Sequence, residues 1–153
     1  MVKKLQNETM EIANAIFKVF QLSYSIEAKL LKATDFPPLK KPIQSYQKTD
    51  TVFFGYYMDK NLTGIIEIKN YKAHTDICSL VVHPNFFRLG IAKSLLNYVF
   101  NNFKSELYTV ETGTNNNPAI QLYKKLGFKE TKEWKTDFGI RKTAFVKTNL
   151  ISY

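Results

Sequence analysis

The stretch from Asp76 to Phe103 changes character across one short loop, and this change constrains the fold more than any other feature of the chain. Asp76 to Val82 is apolar and strand-like until Pro84 ends it, because proline lacks the N–H that a ladder needs. From Gly90 to Phe103 the apolar residues recur with a helical period. Ile91, Leu95 and Val99, with Leu96, Phe100 and Phe103, fall on one face. A strand, a tight loop and an amphipathic helix therefore follow one another, as expected where a helix packs on a sheet.

The loop has chemical consequences. The first N–H groups of a helix have no internal partners, and the helix dipole adds partial positive charge there. A pyrophosphate can accept from these groups directly. Gly90 lets the backbone come close to such a ligand, Ala92 keeps the next turn small, and Arg88 and Lys93 add charge. Taken alone, this segment fits an unliganded strand-to-helix turn equally well.

Upstream, Asn7 is a candidate helix cap, with Glu8 and Glu11 near the positive end. Ile12, Ile16, Val19 and Phe20 form a helical stripe that continues weakly to Leu31, and Asp35-Phe36-Pro37-Pro38-Leu39 breaks it. A short helix fits 42–48. Thr51–Met58 and Leu62–Lys69 read as a hairpin about Asp59-Lys60-Asn61. Downstream, Leu107–Thr112 is a strand and Pro118–Leu126 a helix closed by Gly127. Strands near 128–136 and 140–147 follow. The fold class is therefore α/β, a mixed sheet with packed helices, in a single domain over residues 1–153.

Composition narrows the function classes. Lys and Arg number 22 against 13 acids, a net charge of +9, which favours anionic partners. The basic residues are scattered, without the basic, aromatic-bearing element expected of a nucleic-acid module, so nucleic acid is the weaker alternative. No apolar run is long enough to span a membrane, and the N-terminal residues lack the features of a signal peptide. A cytoplasmic location is expected. Cys78, the single cysteine, is expected to be a buried structural thiol. The two His and one Cys have no metal-ligand spacing, so no metal is expected.

A second motif gives the first its meaning. Asn116-Asn117-Pro118-Ala119 is followed by Leu122-Tyr123 and then Gly127-Phe128. In this order, the two segments resemble motifs A and B of the GNAT acetyltransferase superfamily, and the element order over the whole chain agrees. The resemblance implies a mostly antiparallel sheet with a splay between two central strands and helices on both faces. It implies acetyl-CoA as acyl donor and a small-molecule or peptide amine as acceptor, with a homodimer as a possible assembly. Leu80, Val81 and Val82 would face the pantetheine arm. Arg88, Leu89, Gly90, Ile91, Ala92 and Lys93 would hold the pyrophosphate, with Asn116, Ala119 and Tyr123 flanking the cofactor. One position departs: Phe87 stands where Arg or Gln is usual, so the backbone carries the cradle there.

Acyl transfer from a thioester to an amine requires a neutral amine, a polarised carbonyl and a proton for the departing thiolate. The resemblance makes Tyr123 the acid, although its place on the apolar face of Ala119, Leu122 and Leu126 also suits a core tyrosine. The Val82 N–H is expected to polarise the carbonyl. For the base, Glu67 is a charge in an apolar strand that faces either the cleft or solvent, and Glu111 is a second candidate. His83 is expected to be structural and His74 a loop residue. Tyr24, Phe36, Phe54 and Tyr56 line the acceptor site or pack the core. An acyl-CoA-binding protein of this fold without turnover is the remaining alternative.

Overall fold

The computed structural model describes residues 1–149, so the last four positions of the expected domain lie outside the described residues. The strands are β1 (Val2–Lys4), β2 (Val52–Met58), β3 (Asn61–Asn70), β4 (His74–Val82), β5 (Leu107–Gly113), β6 (Lys129–Lys135) and β7 (Arg141–Thr148). The α-helices are α1 (Met10–Leu30), α2 (Ile43–Gln47), α3 (Ile91–Asn102) and α4 (Asn117–Lys125). The strands make one seven-stranded sheet in the order β1-β2-β3-β4-β5-β7-β6. Among the described residues only β4 and β5 pair in parallel.

Local chemistry sets the helix ends. Thr9, not Asn7, caps α1: its side-chain oxygen accepts the Ile12 N–H at 3.3 Å. Asn7 instead donates its Nδ2 to the Tyr46 carbonyl at 2.8 Å, which ties the start of α1 to α2. The expected break holds, with α1 ending at Leu30 and Pro37–Lys40 forming a 3₁₀ turn. Asn116 caps α4 through the Ala119 N–H. Gly127, with φ +93°, turns the chain into β6. His74 opens β4 rather than lying in a loop, because the strand begins two residues before Asp76. Its Nε2 lies 2.8 Å from Thr109 Oγ1 on β5.

The sheet is covered on both faces. On one, Ile91, Leu95, Leu96 and Val99 of α3 and Tyr123 of α4 pack on Phe54, Ile66, Ile68, Val110 and Phe145. On the other, Ile16, Val19 and Phe20 of α1, with Tyr46 of α2, pack on Phe53, Ile65 and Val81. Leu95, Leu96 and Val99 are completely buried, each stabilising the fold by about 1.5–3 kcal/mol. Phe54 is therefore a core residue, away from the acceptor side.

Gly64 on β3 fixes how closely α3 can approach. A Cβ placed there would stand 2.5 Å from Ile91 Cγ2, a stiff β-branched group in the first turn of α3. Gly64→Ala is expected to destabilise the protein by about 1–3 kcal/mol, read from the denaturant midpoint. Because the displaced atoms belong to the first turn of α3, ligand binding at that helix end should weaken as well.

Candidate functional site

The site begins where β4 and β5 part. They pair only from His74↔Leu107 to Ile77↔Val110. Beyond this, β4 stays with β3 as far as Val82, and β5 stays with β7 as far as Gly113. Among the described residues, the facing edges of both strands have no strand partner. A bulge marks the point of parting: Glu67 faces Ser79 and Ile68 faces Ile77, so Cys78 is the extra residue. The bulge reverses the alternation of β4. Ile77 packs towards α3, whereas Val81 packs towards α1.

Register determines which backbone groups face the gap. The His83 N–H donates to the Thr63 carbonyl at 2.8 Å. By antiparallel alternation, the N–H and C=O of Val82 and Leu80 then point away from β3, into the splay.

The cradle adjoins this opening. Arg88 and Gly90 both have left-handed backbone, with φ +64° and +77°. Gly90 caps α3 with no side-chain hydrogen bond. A Cβ there would meet nothing within 4 Å, so the conformation, not space, favours glycine. The first helical bond runs from the Ser94 N–H to the Gly90 carbonyl at 3.0 Å, leaving the preceding N–H groups of the turn free for an anion. The groove in front has a volume of about 490 Å³ and reaches from Arg88, Gly90 and Lys93 past Leu80 and Val82 to Tyr123. Ile91, Ala92, Asn116 and Ala119 also line it. Two expected contacts do not line it: Val81 packs on the opposite face with its backbone turned to β3, and Leu89 points outward, 58% exposed. Phe87 lines the groove. His83 is structural, its Nδ1 accepting the Asn85 N–H at 3.1 Å.

A larger cavity of about 860 Å³ opens on the α1 side of the splay. Its floor comprises Ile77 to Leu80, Val110 to Gly113, and Asn116. Its roof is the 36–41 turn and the β6–β7 hairpin, joined where Phe36, Ile140 and Ala28 bury one another. Tyr24 lines it and meets the Phe36 ring edge-on at 5.8 Å. Tyr56 is not part of this wall; it packs against the α3-side core.

Tyr123 and Glu27 line both spaces. Tyr123 is 4% exposed and packed against Phe128 and Phe145. Burial, and secondarily Glu27, raise its pKa well above the ordinary phenol value, so it keeps its proton. Glu27 accepts from Asn116 Nδ2 at 3.2 Å, and Asn116 also reaches Thr112 Oγ1 at 3.3 Å. Burial raises the Glu27 pKa, opposed by the Asn116 hydrogen bond and the charge of Lys142.

The carboxylates expected from the sequence are arranged differently. Glu67 is neither solvent-facing nor on the cavity wall. It is 4% exposed and accepts from Thr51 Oγ1 at 2.6 Å and Ser79 Oγ at 2.9 Å. Ser79 lines the cavity and stands between it and Glu67. Glu111 lines the cavity but is paired with Lys142 at 2.9 Å. Cys78 is exposed on the cavity wall instead of buried, because the bulge turns it out of the core. The enclosing walls and the Asp76 charge push its thiol pKa up to about 12, so it is a neutral thiol.

Glu27 is absent from the sequence-derived candidates, yet a signal existed. Ile16, Phe20, Tyr24, Glu27 and Leu31 continue one helical stripe, and a carboxylate on a buried stripe needs a reason. Among the described residues no cluster of His, Cys, Asp and Glu suits a metal ion, and no helix is long and apolar enough to cross a membrane.

Comparison with known proteins agrees with this architecture. The chain is 32% identical over 146 residues to the UPF0157 protein YqkA of Bacillus subtilis, an alignment covering 95% of this chain and 43% of that protein. It is 36% identical over 95 residues to an N-alpha-acetyltransferase of Sulfurisphaera tokodaii, covering 56% of this chain and 55% of that one. The chain thus spans about half the length of these two curated relatives. Its fold matches the PaiA N-acetyltransferase of Thermoplasma acidophilum, solved with coenzyme A, at a TM-score of 0.75. That alignment has 20% identity and covers 97% of this chain and 98% of that one. The profile of the acetyltransferase (GNAT) family matches residues 13–128, and the chain belongs to that family.

Proposed function

We propose that the chain transfers an acetyl group from acetyl-CoA to an amine, as a single catalytic unit over residues 1–153. The observation that carries this reading is the splay itself. It joins an anion cradle, two inward-facing strand amides and a buried, protonated tyrosine to a second cavity large enough for an acceptor.

The residues present fit the donor. The free N–H groups at the start of α3, with Arg88 and Lys93 beside them, suit a pyrophosphate. The amides and carbonyls of Leu80 and Val82 suit an extended pantetheine arm. Phe87 offers a ring in place of a cation, so backbone amides carry more of the phosphate contact. Acetyl-CoA supplies the acetyl group already activated as a thioester.

The chain's own groups then supply binding, orientation and proton transfer. Tyr123 holds a proton at the junction of groove and cavity, where a leaving thiolate needs one. The Val82 N–H points into the splay, where it can donate to a carbonyl oxygen as negative charge develops. Glu27 takes the base role at the same junction and receives the amine proton. Glu67 acts at one remove, through Ser79.

Thiol release in the presence of acetyl-CoA and a panel of amines tests this reading. No amine-dependent release by a preparation that binds acetyl-CoA would refute turnover. Tyr123→Phe is expected to lower kcat by about 10²–10⁴ with acetyl-CoA affinity unchanged, measured by calorimetry. An unchanged kcat would remove Tyr123 from the mechanism.

Glu27→Gln separates activity from stability. A raised folded-state pKa gives a stability contribution that is present below the ordinary glutamate value and lost as pH rises through the raised one. The charged carboxylate is therefore a cost to the fold at neutral pH, and Glu27→Gln should leave the melting temperature at pH 7.5 equal or higher while reducing kcat by about 10²-fold. The wild-type acid limb of kcat/KM should lie above the ordinary glutamate pKa of about 4.3. A lower melting temperature with full activity would contradict the base role.

A further inference from the structure

We propose that the acceptor is a monoamine carrying its single positive charge on an apolar, aromatic-sized body, and that polycationic amines are excluded. This rests on the acetyl-transfer reading and specifies the class of substrate for that site.

The cavity is graded from floor to roof. The amine to be acetylated must reach the junction beside Tyr123 and the splay, where Glu27 is a half-buried carboxylate and the nearby Glu111 is already paired with Lys142. One cation is satisfied there. The rest of the molecule must lie among the upper walls. Tyr24, Phe36, Trp134 and Phe138 line these, with Pro37 and Pro38 beside them. At about 860 Å³ the space is that of a ligand pocket, and aromatic walls reward an apolar body. Phe138 is 55% exposed, an apolar surface left open over the cavity.

Charge excludes the alternative. The basic residues lining the cavity are Lys40, Lys41, Lys135 and Lys142. Asp35 engages Lys40, and Glu111 engages Lys142. Lys41 lies over the Tyr46 ring at 4.6 Å. Among the described residues, neither Lys41 nor Lys135 has a carboxylate within 4.0 Å. Asp137 is the one lining carboxylate besides Glu27 and Glu111, and it is outnumbered at the roof. A second or third ammonium on the acceptor would therefore enter a wall of like charge within screening distance, after leaving water for an aromatic surface. An apolar body suffers neither cost. A free aralkylamine and an aromatic residue at a peptide N-terminus share this chemistry.

The test compares acceptors on the full chain with saturating acetyl-CoA, by thiol release. The probes are phenethylamine, a phenylalanine-led dipeptide amide, spermidine and kanamycin. Phenethylamine or the dipeptide should exceed both polycations in kcat/KM by about tenfold or more, and the faster of the two identifies the source. Trp134→Ala, or Phe138→Ala at the exposed ring, should raise KM for the aromatic acceptor severalfold with the KM for acetyl-CoA unchanged. Lys135→Glu should raise kcat/KM for spermidine by about fivefold and leave phenethylamine little changed, a reversal that general damage to the fold would not produce. Equal or faster acetylation of spermidine or kanamycin would overturn the proposal, as would indifference of acceptor choice to all three variants. Failure of every probe while acetyl-CoA still binds would overturn the acceptor class and leave the cofactor site standing. Failure to bind acetyl-CoA would instead refute the acetyl-transfer reading beneath it.

Discussion

The parting of β4 from β5 after Ile77 and Val110 is the constraint on which the rest of the structure depends. A sheet interior normally pairs every backbone group, because an unpaired buried N–H or C=O is costly. Here two central strands leave facing edges unpaired, and each keeps its order through its other neighbour, β3 or β7. The gap is a backbone-lined slot in the middle of a rigid sheet. The bulge at Cys78 is the device that opens it, by turning β4 over so that Leu80 and Val82 present their amides to the slot.

Packing delivers the remaining groups to that slot. Gly64 lets α3 lie close on β3, so its uncapped end sits directly beyond Val82. Asn116 caps α4, reaches Thr112 at the end of β5 and donates to Glu27 on α1. One amide side chain thus joins three elements around the junction and holds the carboxylate beside the tyrosine. Tyr123 and Glu27 diverge from their ordinary pKa values for the same reason, exclusion of water by packed aromatic walls. Burial keeps the tyrosine protonated and makes the carboxylate more basic, so one desolvated environment sets both protonation states.

Much of this was legible in the sequence. The strand–loop–helix switch about Pro84 and Gly90 and the Asn116–Phe128 motif located the cradle and Tyr123, because proline, glycine and helical period act locally. The order of the elements was equally readable, to within a few residues at their ends. Side-chain direction after a bulge was not. Cys78 reads as a core residue from its apolar surroundings, and one extra residue in β4 moves it to the cavity wall. Glu67 and Glu27 show the converse. A charge within an apolar strand made Glu67 conspicuous, but Thr51 and Ser79, the hydrogen-bond partners that hold it off the cavity wall, are brought to it by strand pairing. Glu27 shows its place only in the fold, since its partner Asn116 lies far along the chain and tertiary packing brings them together.

The most direct test of the central claim is the unfolding midpoint of the full chain with acetyl-CoA, with CoA and with a control nucleotide of equal charge that lacks pantetheine. Ligand at about 100 times its dissociation constant stabilises the native state by about 2.7 kcal/mol. A clear rise with acetyl-CoA and CoA, and little with the control, is the result expected if the splay takes the pantetheine arm and the α3 end the pyrophosphate. Equal rises with all three would place recognition in charge alone. No rise with any would contradict the assignment of the splay and cradle as the acetyl-CoA site.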